Sequence, residues 1–300
     1  MSSPNRAFHS TCPVCGHSNL ALKYKIKGFT LVQCPGCELI FVRDRLSAQE
    51  LDTFYSQTNE GGGDNPDFVY LNRENDENLK FYFRNLKSLI RDRVPAGAVL
   101  DIGCNTGGFL DVMDGYDRFG IERSPNHARL AKEKYGENIF EGAFEDYQPP
   151  GGLRFDCITL QDVLDHMADP LAVLKKCHQL LKSKGLIVIK VHDMGCLYAK
   201  LTGKNFYALI PPVHLFYFNR RSLTAALNRA SFELVAARHM GHVLFISTIF
   251  YRLAKGNKAG LYFRIHQWLE GTWLGRRKIH KNLHDIITVF GVKKEESLRS

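Results

Sequence analysis

Val99-Leu-Asp101-Ile-Gly103-Cys104-Asn105-Thr106-Gly107-Gly108-Phe109 runs from an apolar stretch into a glycine-rich turn and then into a helical pattern. A strand that stops at a tight glycine turn lets a ligand approach the backbone closely, because no Cβ stands in the way. The middle position of the turn is Asn105, the type of non-glycine residue most at ease with positive φ. A dinucleotide fingerprint of the G-x-G-x-x-G kind has no match, since its second glycine is absent.

Downstream, apolar runs at residues 118–122, 155–160 and 186–191 predict further strands, and Ser124-Pro125 and Asp169-Pro170 are cap-plus-proline starts for helices through Tyr135 and Lys182. Strands alternating with helices imply an α/β fold with a parallel sheet, which residues 232–238 and 285–292 close as last strands. Upstream, Leu79, Tyr82, Phe83, Leu86, Leu89 and Ile90 form a helical stripe that Pro95-Ala-Gly97 ends. Ser47-Ala-Gln-Glu50 spells a capping box, and residues 59–66 form a glycine-rich joint. Tyr70 and Tyr82 read either as packing or as a cover over a ligand, packing being the commoner fate of a tyrosine.

The N-terminal stretch carries two tight cysteine pairs, Cys12-Pro-Val-Cys15-Gly and Cys34-Pro-Gly-Cys37-Glu, separated by enough chain for a hairpin. Two such knuckles make the four-thiolate tetrahedral set that a structural Zn²⁺ prefers, and a closed set leaves no position for substrate. Cys12, Cys15, Cys34 and Cys37 are therefore the expected metal ligands, whereas Cys104, Cys157, Cys177 and Cys196 sit singly in apolar patterns and read as buried thiols.

The glycine turn resembles motif I of the class I S-adenosylmethionine-dependent methyltransferases, Asp/Glu-x-Gly-x-Gly-x-Gly, with Asn105 in place of the middle glycine. The resemblance extends to Glu122, at the end of the next strand in Phe-Gly-Ile-Glu-Arg-Ser-Pro, where the family's carboxylate accepts the ribose hydroxyls. It extends also to Glu141-Gly-Ala-Phe144-Glu-Asp146, similar to the segment laid against adenine, and to Gln161 near the methionine end. It implies a Rossmann-like sheet flanked by helices and S-adenosyl-L-methionine as cofactor. The cofactor-binding set it implies is Asp101, Gly103, Asn105, Gly107, Glu122, Arg123, Phe144 and Gln161. Pro211-Pro-Val-His214-Leu-Phe-Tyr-Phe218 is similar to a segment of a subgroup acting on sugars and other small molecules, several of which carry an N-terminal four-cysteine zinc module. The division expected is a zinc ribbon at 1–45, a helical connector and lid at 46–95, and a methyltransferase domain at 96–300 with a helical insertion near 243–283.

Methyl transfer from a sulfonium demands alignment, and a base where the acceptor is a hydroxyl or carbon acid. Of the 12 histidines, His166, His192 and His214 fall in loops at the predicted ligand edge. His214, on a stiff proline-flanked loop, is the candidate base, with His192 its competitor; a satisfied structural histidine is the equal alternative. Asp165-His166 matches a carboxylate–histidine pair of the family. A chain of 300 residues with 44% hydrophobic content and a net charge of +9 can bury one large core plus a small module. No apolar run approaches the ~20 residues of a membrane span, and the N-terminus does not resemble a signal peptide, so the expected location is cytoplasmic. The expected partner is a small-molecule or glycan substrate. A ribosomal RNA substrate and a non-catalytic zinc-ribbon interaction protein are the alternatives; dispersed positive charge argues mildly against the first. The basic, tryptophan-bearing stretch at 261–283 fits a lid, a homodimer face or a peripheral membrane contact.

Overall fold

The computed structural model describes residues 7–45, 66–254 and 259–295. The predicted capping box at Ser47–Glu50, the joint at 59–65 and the side chain of Tyr70 lie outside the described residues. In chain order the strands are β1 (Ala7–Phe8), β2 (Ala21–Ile26), β3 (Phe29–Gln33), β4 (Ile40–Val42), β5 (Asp44–Arg45), β6 (Ala98–Ile102), β7 (Asp117–Glu122) and β8 (Ile139–Glu141). They continue with β9 (Phe155–Gln161), β10 (Leu181–His192), β11 (Phe216–Tyr217), β12 (Phe232–Arg238), β13 (His242–Phe245), β14 (Lys278–Lys281) and β15 (Ile286–Lys293).

Seven strands form the main sheet in the order β12-β15-β10-β9-β6-β7-β8. The run from β10 to β8 is parallel, and β15 lies antiparallel between β10 and β12. Helices cover both faces, which is why the central strands are apolar at nearly every position instead of alternating with polar ones. Successive side chains point to opposite faces. Leu100, Ile158, Ile187 and Ile189 accordingly pack with Leu174, Leu223 and Leu227, while Val99, Cys157, Leu186 and Val188 pack with Leu86, Ile90, Phe109 and Leu110. All four solitary cysteines are buried, as expected.

Local signals place the helices. Asp169 caps helix Pro170–Leu180 by accepting from the amides of Leu171 and Ala172 at 3.0 Å each. Ser124 occupies the N-cap position of helix Pro125–Tyr135 without a side-chain cap bond, so the proline at N1 supplies the start. Helix Pro170–Leu180 stops two residues short of Lys182 because β10 already begins at Leu181. Leu181 pairs with Phe155, a register shift follows, and regular pairing resumes at Leu186. Ser183-Lys184 forms that irregularity, with Lys184 at φ 57°.

The N-terminal ribbon turns at Lys27-Gly28, both at positive φ, as a two-residue hairpin requires. Its sheet does not end within the first 45 residues. The order β11-β4-β3-β2 brings in Phe216–Tyr217, which pair with Phe41 and Ile40. The amide of Val42 donates to the carbonyl of Leu215 at 2.9 Å. Glu38 clamps the junction, taking bonds from Arg221 at 2.8 Å and Asn219 at 3.0 Å. Cys12, Val14, Leu39 and Phe41 share one apolar cluster with Leu215, Phe216, Phe218 and the main sheet, so ribbon and sheet share a core.

Within the expected helical insertion, helices Ile246–Leu253 and Leu261–Glu270 are carried on a two-stranded ribbon, β13 with β14. No helix among the described residues is long and apolar enough to cross a membrane.

Candidate functional site

Parallel strands end on one edge, and the turns after β6, β7, β9 and β10 meet there. The turn after β6 is pinned when the amides of Gly103 and Cys104 both donate to the carbonyl of Ile121, at 2.8 and 3.0 Å. Gly103 sits at φ 73°, and a Cβ there would stand 2.5 Å from Val163. Gly107 sits at φ 82°, with Tyr135 2.7 Å from where its Cβ would be. Asn105 adopts φ 53°, the left-handed conformation its type tolerates. Gly103 and Asn105 are exposed on the turn.

Glu122, at the end of β7, is oriented before any ligand arrives. Its two carboxylate oxygens accept from the amides of Asn105 and Ser124, at 2.8 Å each. A carboxylate has about four acceptor sites, so each oxygen keeps one for a hydroxyl. Arg123 beside it is exposed.

Asp101 has a different place from the open turn. It is 3% exposed, accepting from Thr159 at 2.5 Å and from the Gln161 amide at 3.3 Å, and so ties β6 to β9 beneath the turn. Burial pushes its carboxyl up to about 7, against the hydrogen bonds from Thr159 and Gln161 and with some help from the charge of Glu122. The Phe144 ring is also internal, 2% exposed in the main core with the Lys176 ammonium 5.1 Å from its centroid. Lys176 further donates to the carbonyls of Phe144 and Glu145. The open parts of that segment are the residues either side, Gly142, Ala143 and Glu145.

Histidines gather on the adjoining side of the edge. The Nδ1 atoms of His166 and His214 each lie 2.8 Å from a backbone carbonyl, of Val213 and Ala208 respectively. A carbonyl only accepts, so Nδ1 carries the proton and the neutral ring keeps its lone pair on Nε2. Both Nε2 atoms point towards Asp165, each 3.8 Å from a different carboxylate oxygen. The two rings meet edge to face at 4.7 Å, and His192 lies 5.4 Å from His214. Burial pushes the His192 imidazole below its ordinary value, with Asp162 opposing.

Five buried side-chain atoms at this edge have no hydrogen-bond partner among the described residues: Gln161 Oε1, Asp162 Oδ1, Asp165 Oδ1, His192 Nδ1 and Tyr217 Oη. Each such group costs about 1–3 kcal/mol if left unsatisfied. A cluster of them on one edge of a packed sheet is what a polar ligand or water is needed to satisfy. Asp162 also holds Lys190 at 2.6 Å, and the Lys190 ammonium lies 4.7 Å from the Tyr82 ring centroid. Tyr82 is buried and hydrogen-bonded to Thr288 at 3.0 Å, in keeping with packing.

The structure thus gathers Gly103, Asn105, Gly107, Glu122, Gln161, His192 and His214 at one edge, places Asp101 just beneath, and keeps the Phe144 ring in the core. Asp162, Lys190 and Tyr217 were not singled out from the sequence. The only local signal was the position of Gln161-Asp162 at a strand end; Lys190 and Tyr217 lie within apolar strands and read as ordinary pleat residues.

The second candidate centre lies in the ribbon. The thiol sulfurs of Cys12 and Cys37 are 3.6 Å apart, those of Cys15 and Cys34 are 3.3 Å apart, and all four lie within 4.8 Å of one another. The knuckles are built alike. Gly16 and Glu38 stand at positive φ and return their amides to the carbonyls of Cys12 and Cys34 at 2.8 Å. Tetrahedral Zn–S bonds of about 2.3 Å imply sulfur separations of about 3.8 Å, so the donor set and its spacing fit zinc.

Residues 70–237, more than half of the chain, match the methyltransferase-domain family. The chain belongs to that family, and its fold is that of the class I S-adenosylmethionine-dependent methyltransferases. It is 38% identical over 96 residues to a ubiquinone biosynthesis O-methyltransferase of Cereibacter sphaeroides, a match covering 30% of this chain and 39% of that protein. It is 28% identical over 153 residues to the protein of the same name from Histophilus somni, covering 47% and 62%. The chain thus spans about two fifths of the length of the first of these relatives. Magnesium protoporphyrin IX methyltransferase from Synechocystis, solved with bound SAH, superposes with a TM-score of 0.50 over 83% of this chain and 100% of that one, at 13% identity. That likeness is one of fold.

Asp101 makes stability depend on pH. Its native carboxyl titrates near 7, above an unfolded aspartate near 3.9, so the native state holds a proton that the unfolded chain releases. The group therefore favours the fold most below the unfolded value, and its contribution is lost as pH rises through about 7. Asp101→Asn should keep an acceptor for Thr159 while removing this slope. Melting temperatures from pH 5 to 8 should fall more for wild type than for the variant; parallel curves would show that Asp101 is ionised throughout.

Proposed function

We propose that this protein transfers the methyl group of S-adenosylmethionine to a hydroxyl of a small, polyhydroxylated acceptor, a sugar, sugar nucleotide or glycan-related metabolite. The carrying observation is the group of unpartnered buried atoms on Gln161, Asp162, Asp165, His192 and Tyr217, which lines the edge beside Glu122 with hydrogen-bonding groups that suit an acceptor rich in hydroxyls. The likeness of Pro211–Phe218 to the sugar-acting subgroup supports the acceptor class, and the O-methyltransferase names of the relatives support oxygen as the acceptor atom.

In this reading the cofactor supplies an activated methyl group on a good leaving group, and the chain's own residues position and deprotonate. The exposed turn at Gly103–Asn105 admits the nucleoside end, the free acceptor sites of Glu122 take the ribose hydroxyls, and Gln161 lies towards the methionine end. His214 Nε2, with its lone pair fixed by the Ala208 carbonyl at Nδ1, takes the acceptor's proton. The resulting imidazolium faces the Asp165 carboxylate at 3.8 Å, which stabilises it in a site shielded from water. Zn²⁺ on Cys12, Cys15, Cys34 and Cys37 is structural in this reading. It closes the ribbon that pairs with Phe216–Tyr217 and so holds the His214 loop. The division at residues 45 and 95 remains part of this proposal, with the first and last segments joined by that pairing.

Glu122→Ala should weaken S-adenosylmethionine binding by about one to two decades, the loss of a two-pronged charged contact. Isothermal calorimetry checks it, and equal affinities would remove Glu122 from the cofactor site. His214→Ala should lower kcat by ~10²- to 10⁴-fold with cofactor affinity near wild type, and His214→Asn should recover little, because an amide cannot take the proton. Turnover within a few-fold of wild type in both variants would make His214 structural. Removing zinc, by chelation or by Cys34→Ser, should raise amide exchange in residues 12–42 and also in 214–218, while cofactor affinity holds. Protein that carries no zinc by metal analysis, or whose 214–218 segment is indifferent to metal, would count against the ribbon's supporting role.

A further inference from the structure

The paired helices between β12 and β15 leave an apolar face uncovered. Helix Leu261–Glu270 turns His266 and Leu269 inward, where the His266 ring lies 5.2 Å from that of Tyr251 on helix Ile246–Leu253. Leu261, Ile265 and Trp268 recur at i, i+4 and i+7 and form a stripe beside that inward side, running from half-buried Ile265 to exposed Leu261 and Trp268. Leu261 and Trp268 are each 69% exposed, and Trp273, in the turn that follows, is 73% exposed. Leu253 and Leu274 add further exposed apolar surface.

Cations are dense in the same stretch of chain. Residues 259–283 hold Arg264, Arg276, Arg277, Lys278 and Lys281 against a single acid, Glu270, whose carboxylate lies 3.8 Å from His266. The guanidinium of Arg277 lies 5.4 Å from the Trp273 ring centroid, so the cation and the aromatic already form one unit. Indole rings and leucines flanked by arginine and lysine are the side chains that enter the headgroup region of a bilayer and meet lipid phosphates there. Nucleic acid would use the cations and stack on the indoles, but it would gain nothing from Leu253, Leu261, Ile265 and Leu274.

We propose that this face docks the protein on an anionic lipid bilayer. The position of the helices in the fold gives the contact a consequence. They leave the main sheet after Arg238, which pairs with Thr288, and return before Ile286, which pairs with His192. The excursion therefore springs from the edge that carries the histidines. His239 bonds Asp193 at 2.8 Å and Tyr207 bonds Asp285 at 2.8 Å, fastening both ends of it there. Docking brings that edge to the membrane surface, which suits an acceptor carrying a lipid anchor. This last step rests on the proposed methyl transfer; the docking does not.

Trp268 and Trp273 are the protein's 2 tryptophans, so its indole fluorescence reports on this face alone. The full-length protein is titrated with vesicles of phosphatidylcholine containing phosphatidylglycerol and with vesicles of phosphatidylcholine only. Blue-shifted emission and co-sedimentation are expected with the anionic vesicles, weakening as salt is raised. Trp268→Ala with Trp273→Ala should abolish co-sedimentation. Arg276→Gln, Arg277→Gln and Lys278→Gln together should weaken it roughly a hundred-fold, at about five-fold per cation. Circular dichroism and melting temperature show that each variant is folded, and cofactor affinity of the wild-type protein, measured separately, tests the methyl-transfer reading without touching this one. Several results would overturn the proposal. These are no blue shift with anionic vesicles, equal binding to neutral ones, undiminished binding by the charge variant, a blue shift elicited by RNA and not by vesicles, or emission that shifts with protein concentration as a second copy covers the face.

Discussion

Parallel pairing is the constraint from which the rest of the molecule follows. Strands that run the same way must end on the same edge, and each must leave that edge through a turn before a helix can carry the chain back. The turn after β6 is held by two amides on the Ile121 carbonyl, and that carbonyl belongs to the strand that ends in Glu122. The glycine turn and the carboxylate are thus set relative to each other by sheet register, before any ligand contributes. The same register puts Gln161 opposite Lys190 and carries β10 on to His192.

Burial governs the chemistry along that edge. Asp101 is held away from water by β9 and carries a raised pKa, whereas Glu122, one strand over, keeps two backbone amides and an open side. Two carboxylates on neighbouring strands therefore serve different ends, one tying strands together and the other facing outward. Asp162 is half-buried, with one carboxylate oxygen shut off from water, and desolvation alone would raise it; the charge of Lys190, with lesser help from His192, brings it below the ordinary carboxylate range. The Lys190 end of their ion pair is covered by Tyr82 from helix Pro66–Arg91, which is bonded to Thr288 on the neighbouring strand. That contact couples the helix to the floor of the site.

The ribbon bears on the same edge from the other side. Phe41 packs against Phe216 with ring centroids 6.4 Å apart, and the carbonyl of Asp165 accepts from the amides of both Leu215 and Phe216. The segment bearing His214 is therefore gripped by the ribbon through β4 and by the turn after β9 through Asp165. A small module that could have been an independent appendage instead forms part of the wall that positions an imidazole.

The sequence alone determined the parallel sheet, the glycine turn, the carboxylate at the second strand end and the four-cysteine knuckles. Each is written in residues close together in the chain: apolar runs of strand length, positive-φ residues in a turn, and cysteines three apart. Capping at Asp169 was legible for the same reason. The tertiary structure decided what depends on pairing between distant segments. That Phe216–Tyr217 complete the ribbon's sheet, that Asp101 lies under the turn, that the Phe144 ring faces the core and that Lys190 meets Asp162 all depend on register and on packing against another element. Residues such as Lys190 and Tyr217 leave no local trace, because an apolar strand reads the same whether its polar member meets solvent, a neighbouring carboxylate or a ligand.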